Sequence, residues 1–340
     1  MRVKSEVYML KAALIGLGDI SAVHLAALAN TGSARLIAVC DIDLARRSVQ
    51  PDAMAFYTDY HKLLTNEKPD VVHICLPHYL HYQVARDAAE AGCNIFAEKP
   101  LAITYADGLK FAQLEDQYHV HINICLQNRL NPASEALIDA LKSGEYGDLV
   151  GVRGVVAWKR TKAYYEAKPW RGDMRQAGGG NMINQALHTL DLMQYFMQSK
   201  ITRVKGCVTQ LLDYGINVED TVSAFITFEN GATGLFTGSN ANCIDVPAEI
   251  EVVCEKAVFT IRYQTLYRRF NGTETVLAQD INPSVGKTVY GNCHEKLIAR
   301  FYQTLETGDG EYIHPQDALP VTWLIEAIRQ SSETGQAVYA

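Results

Sequence analysis

From Leu10 to about Gln127, short apolar runs alternate with longer segments of 3.6-residue period, the pattern of successive strand-helix units around a parallel sheet. Strands are predicted at Lys11 to Gly16, Arg35 to Asp41, Ala55 to Tyr57, Val71 to Leu76, Asn94 to Glu98 and Val120 to Leu126. Helices are predicted between them at Ser21 to Ala29, Leu44 to Val49, Tyr60 to Asn66, Leu80 to Ala91 and Tyr105 to Tyr118. Most of the strands are apolar on both faces, as a sheet covered on two sides requires. Right-handed crossovers then open a ligand crevice at the carboxyl ends of the strands.

Past Asn128 the pattern changes. One helix is predicted from Pro132 to Lys142, followed by long segments rich in β-branched and aromatic residues. The run from Asp220 to Ala241 reads as two alternating strands about an Asn230-Gly231 turn, for which a type I′ geometry is expected. Further strands are expected at Val150 to Trp158, Thr202 to Gln210, Ile250 to Cys254 and Val258 to Arg262. Helices are expected near Asn181 to Gln198, Glu295 to Leu305 and Leu319 to Ser332. The expected architecture is α/β, with a doubly wound parallel sheet over residues 1–127. Residues 128–340 then form an α+β domain with a large, mostly antiparallel open sheet, whose last helix can pack back toward the first domain.

Length and composition agree: 340 residues, 48% hydrophobic and 20% charged, suit two folded domains. With 31 basic against 38 acidic residues, the formal charge of −7 offers no basic face to nucleic acid or anionic lipid, so a small-molecule partner is expected. No apolar run of about 18 residues predicts a membrane span, and the first residues lack the apolar core of a signal peptide. Eight scattered cysteines without a CxxC pair fit a reducing cytoplasm. His73, His78 and His81 lie near one another in sequence but lack a fourth ligand nearby, and no metal is expected.

The candidate chemistry begins at GLGDIS. Gly16 and Gly18 fall between the first strand and the first helix, where backbone N–H groups approach a dinucleotide pyrophosphate at the helix start; Asp19 and Ile20 complete the turn. Ser21 replaces the third glycine of GxGxxG, a position that asks only for a small residue. Asp41 ends the second strand 23 residues after Gly18, placed for a ribose 2′-hydroxyl; its carboxylate would repel a 2′-phosphate, which favours NAD over NADP, although Arg46 and Arg47 follow. The fifth strand ends in Glu98-Lys99-Pro100, at the edge where ligands bind. In GGGNMINQALHTLD, the residues Asn184, His188 and Asp191 are spaced by four and three along one helical face. Trp158, Lys159, Arg160, Tyr164, Tyr165, Trp170 and Arg171 precede it, and their aromatic faces and cations suit a polyhydroxylated ring.

Together the glycine turn, Asp41, Glu98-Lys99-Pro100 and the glycine-led helix bearing His188 and Asp191 resemble the Gfo/Idh/MocA oxidoreductases, over nearly the whole chain. Leu76-Pro77-His78 with His81, and the stretch Gln127 to Ala133, resemble further family segments. The resemblance implies a Rossmann domain holding NAD through Gly16, Gly18, Asp19, Ile20, Asp41, Leu76, Pro77, His81, Glu98, Lys99 and Gln127. It implies a sugar, sugar derivative or cyclitol bound by Lys99, Arg129, Trp158, Tyr165, Trp170, Arg171, Asn184 and His188. Lys99 and His188 are then the catalytic pair over the nicotinamide, and either of them is the base. Asn184 departs from the Asp common in the family's sugar and cyclitol dehydrogenases. A homodimer or homotetramer, built through the open face of the second sheet, is also implied. The alternative function is an NAD-bound sugar sensor or co-regulator that does not turn over substrate.

Overall fold

The computed structural model describes residues 9–49, 54–281 and 293–340; the amino-terminal residues read for a signal peptide (1–8) lie outside them. Strands β1 (Leu10–Ile15), β2 (Ala34–Cys40), β3 (Ala55–Tyr57), β4 (Val71–Ile74), β5 (Asn94–Ala97) and β6 (Ile122–Ile124) form one parallel sheet in the order β3-β2-β1-β4-β5-β6. Helices α1 (Ser21–Thr31), α2 (Tyr60–Glu67), α3 (His81–Glu90), α4 (Tyr105–Ala112) and α5 (Leu114–Tyr118) make the crossovers. The strand order reverses between β1 and β4, so the crevice opens beyond Ile15 and Ile74, where the glycine turn and Leu76-Pro77 begin. The edge at β6 is covered: Ile124 N–H donates to Ile313 O (2.8 Å) and Ile313 N–H to Asn123 Oδ1 (3.0 Å).

In this first domain two helices depart from the sequence pattern. Residues 44–49 form a 3₁₀ turn, and the helix expected over 105–118 breaks at Gln113. The break keeps Leu114 buried while Glu115 reaches the Ile122 N–H and the Tyr312 hydroxyl.

The second sheet carries β7 (Leu149–Ala157), β8 (Ile201–Thr209), β9 (Thr221–Phe228), β10 (Thr233–Ser239), β11 (Glu249–Cys254), β12 (Ala257–Arg262), β13 (Thr265–Phe270), β14 (Thr273–Gln279) and β15 (Val338–Tyr339). Its order is β14-β13-β12-β11-β7-β10-β9-β8-β15, antiparallel except for β7 beside β10. Helices α6 (Pro132–Lys142), α7 (Lys162–Glu166), α8 (Met174–Ala177), α9 (Asn181–Asn184), α10 (Leu187–Met197), α11 (Cys293–Thr307) and α12 (Leu319–Thr334) complete the described elements. Of these, α6, α10 and α12 pack on the sheet, α11 lies on α1, and α12 also reaches α4. The alternation in β9 buries Val222, Ala224, Ile226 and Phe228 and turns Phe225, 63% exposed beside Leu235, outward.

The hairpin at Asn230-Gly231 forms, but only Gly231 has positive φ there, and Gly231 N–H bonds back to Phe228 O (3.0 Å). It is therefore a three-residue loop closed by a left-handed glycine rather than a type I′ turn. Positive φ at two consecutive residues occurs instead at Asn271-Gly272, between β13 and β14, and at Tyr263-Gln264, between β12 and β13; sequence patterning missed both of these hairpins.

Candidate active site

The glycine turn is set by close approach. Gly16 has φ +96°, and a Cβ there would lie 2.4 Å from Cys75 O, in the turn after β4. Gly18 is open to solvent except for Lys168 Nζ, 4.0 Å from where its Cβ would stand. Ser21 hydroxyl donates to Gly18 O (2.6 Å), which accounts for a small polar residue at the third position. At the end of β2 the Asp41 carboxylate accepts from Leu17 N–H (2.7 Å) and Asp43 N–H (2.9 Å), so it lies against the glycine turn. A turn with glycines at Gly16 and Gly18, the start of α1 and an acid beside it are the parts a dinucleotide needs. Asp19 points across the crevice, paired with Lys168 (2.8 Å) and Arg171 (3.3 Å) from the loop between α7 and α8, and those cations hold its carboxyl below its ordinary range.

Glu98 and Lys99 separate at the end of β5. The Glu98 carboxylate turns inward, hydrogen-bonded to His24 Nε2 (3.0 Å) with His294 Nε2 at 3.4 Å; burial opposes its charge, but the two imidazoles hold its pKa well below the ordinary value. His24 also meets His73 (2.9 Å), and His73 meets the Tyr302 hydroxyl (3.0 Å), so both nitrogens of His24 are engaged within the domain. Glu98 thus braces the strand end from behind and does not face a cofactor as expected. His81 is likewise fully buried, its ring set between Pro100 O (2.7 Å) and Leu76 O (2.9 Å). It ties the two strand-end turns together and offers nothing to a ligand. The Lys99–Pro100 peptide is cis.

Lys99 points the other way, into the crevice, and its Nζ donates to Asn184 O (3.3 Å). Burial lowers its pKa, offset in part by Glu98. The helix expected from 181 to 198 is broken here: the N–H groups of Gln185 and Ala186 both bond to Asn181 O, and α10 starts afresh at Leu187. The single face proposed for Asn184, His188 and Asp191 is therefore interrupted, and it is the Asn184 carbonyl that meets Lys99. His188 remains on the crevice side, its Nε2 3.5 Å from Gln127 Nε2 and its buried Nδ1 without a partner. Burial, then the Lys99 charge, drives its pKa down to about 3, so the ring is neutral.

A glutamate missed in the sequence holds this junction. Buried Glu219, just before β9, accepts from Gly180 N–H (2.9 Å) and Met182 N–H (3.1 Å), satisfying the start of α9. A Cβ on Gly180 would fall 1.8 Å from Glu219 O, which explains a glycine there.

The remaining expected ligands divide. Arg129 and Asp191, 9% and 1% exposed, form a bidentate buried pair (2.8 and 2.6 Å), and Arg129 also donates to Asp317 O, so its Nε and Nη2 are taken up within the protein where a substrate contact was expected. Tyr165 is buried, its hydroxyl accepting from Asn240, whereas its neighbour Tyr164 lies between Arg171 (4.4 Å to the ring) and Arg160 (5.5 Å). Trp158 donates to Val246 O and carries Arg160 on its face (4.8 Å). Trp170 packs edge-on against His78, whose Nδ1 meets Ala177 O (2.7 Å), so the first domain's Leu76-Pro77-His78 turn and the substrate loop touch. The geometry brings Gly16, Gly18, Asp19, Asp41, Lys99, Gln127, Asn184, His188, Trp170 and Arg171 to one crevice.

Two family models match the chain: one described as oxidoreductase family, NAD-binding Rossmann fold, over residues 10–124, and one as the GFO/IDH/MocA C-terminal domain, over residues 135–260. An uncharacterized oxidoreductase, YrbE, of Bacillus subtilis (strain 168) is 23% identical over 333 residues, 96% of this chain and 95% of that protein. Inositol 2-dehydrogenase of Salmonella typhimurium (strain LT2) is 30% identical over 234 residues, 63% of this chain and 64% of its own length. Among solved structures, the WlbA dehydrogenase from Bordetella pertussis, in complex with NADH and UDP-GlcNAcA, superposes with a TM-score of 0.84 at 22% identity, covering 98% of this chain and 99% of that one.

Proposed function

The chain belongs to the Gfo/Idh/MocA family of NAD-binding oxidoreductases, and from that premise we propose that it moves a hydride between NAD and a secondary alcohol or ketone of a sugar, sugar derivative or cyclitol. The glycine turn and Asp41 would hold NAD, whose nicotinamide would supply the hydride acceptor. The chain's own residues manage the oxygen and its proton. Lys99, with its pKa lowered by burial, takes the hydroxyl proton as a free amine and stabilises the developing oxyanion. His188, neutral at every working pH, accepts a hydrogen bond from a substrate hydroxyl and orients it. Lys168 and Arg171, paired with Asp19 beside the glycine turn, are the cations that would meet the pyrophosphate of a bound cofactor. Relatives named as inositol 2-dehydrogenase, D-apiose dehydrogenase and D-glucoside 3-dehydrogenase support the substrate class.

The observation that carries this reading is the Lys99 ammonium on the Asn184 carbonyl, one turn before His188. Replacing Lys99 by Met should lower NADH formation on a responsive polyol by ~100-fold or more while NAD affinity stays within a few-fold. Full turnover in K99M would remove the assignment. NAD binding with silence across a wide sugar panel would favour the sensor.

No helix among the described residues is long and apolar enough to cross a membrane. The free cysteines agree with a reducing cytoplasm, and the outward Phe225 and Leu235 with a homodimer or homotetramer built on the open sheet face.

A further inference from the structure

The chain is acidic overall, yet residues 158–175 carry six basic side chains (Lys159, Arg160, Lys162, Lys168, Arg171, Arg175) against two acidic ones (Glu166, Asp173). Within this segment the arginines have different partners. Lys168 and Arg171 turn to Asp19 at the glycine turn and belong to the cofactor side. Arg160 turns away from it. Its guanidinium lies on the Trp158 face (4.8 Å) and near Tyr164 (5.5 Å), and its side-chain hydrogen bonds among the described residues both leave from Nη1, to Lys159 O (2.8 Å) and Asp245 (3.2 Å). Nε and Nη2, the fork that meets a carboxylate side-on, bond to nothing among the described residues. Its counter-ion is loosely held: Asp245 is 62% exposed, in contrast to the locked Arg129–Asp191 pair.

The platform under Arg160 leads to the reacting centre. Arg160 N–H bonds to Asn240 O (2.9 Å), Asn240 Nδ2 bonds to Gln185 Oε1 (3.0 Å), and Gln185 Nε2 bonds to the Tyr164 hydroxyl (2.8 Å). Gln185 directly follows Asn184, whose carbonyl holds Lys99. A guanidinium stacked on aromatic rings, with Nε and Nη2 unbonded and an exposed acid partner, and tied through Asn240 to the residue next to the Lys99 contact, has the chemistry that receives a carboxylate.

We propose that the substrate is an acidic sugar and that Arg160 is the specificity-determining residue that receives its carboxylate. This rests on the hydride-transfer reading above and narrows it to aldonates and uronates.

The test uses pairs differing only in the acid: D-glucuronate against D-glucose and D-galacturonate against D-galactose, assayed for NADH formation and for binding to the NADH-loaded protein by calorimetry. An acid preference of ~10-fold or more is expected, weakened by salt and reduced to within about two-fold in R160Q, with NAD affinity unchanged and R160K intermediate. Equal handling of acid and neutral sugar, or a preference that survives R160Q, overturns the proposal and leaves the dehydrogenase reading standing. If no sugar reduces NAD, that reading fails, and calorimetry decides the carboxylate site alone: Arg160-dependent uronate binding upholds it, and no uronate binding ends it.

Discussion

Lys99 and His188 are the residues whose environments matter most, and environment is what a sequence reading cannot supply. The residue types were legible from a strand-end lysine and a helical histidine, with His188 eligible as the base because a free imidazole titrates near working pH. Burial beside Lys99 instead holds His188 neutral, with a pKa of about 3. His188 then stays neutral across the working range, and the oxidation rate rises with pH as the Lys99 ammonium loses a proton, at a midpoint below that of free lysine. H188Q should lower kcat/KM while leaving that midpoint in place, read from the pH profile of NADH formation; a midpoint that disappears with His188 would make the histidine the base. Asn184 also becomes intelligible at this scale, since its backbone oxygen, available from any residue, is what Lys99 meets.

At the scale of elements, the strand-helix alternation was legible because apolar runs and 3.6-residue periods are local signals. What joins elements was not. Arg129 in the QNRLNPA stretch reads as a cation near a substrate, but the fold delivers Asp191 of α10 to it, and the pair ties the 3₁₀ turn at Gln127–Leu130 to that helix. R129M would strand a buried carboxylate and should cost ~3 kcal/mol or more in unfolding free energy by denaturant titration, with substrate KM little changed in the folded fraction. A stable R129M protein with a greatly raised KM would return Arg129 to the substrate site. The helix break at Gln185 and the capping of α9 by Glu219 share this origin: both depend on partners far away in the chain. The Asn271-Gly272 turn, by contrast, carried the same dipeptide as Asn230-Gly231 and was open to sequence reading.

Across the whole molecule, imidazoles are hidden in the first domain's core and along the crevice walls of both domains. Burial lowers the pKa of His24, His73, His78, His81 and His188 from the ordinary 6.5. The unfolded chain therefore binds protons below about pH 6.5 that the folded chain refuses, so the stability these groups contribute is complete above that pH and is lost as pH falls toward the folded values. Tm by calorimetry should drop steadily from pH 7 to 5; a flat Tm over that interval would mean the histidines are not buried neutral. If Lys99 and His188 share one site across the crevice, an NMR titration of the His188 ring in the wild type and in K99M will register the lysine charge. The wild-type ring should stay neutral down to about pH 3, and its pKa should rise in K99M once the lysine charge is gone. A ring titrating near 6.5 in both proteins would place the two residues apart and contradict a shared site.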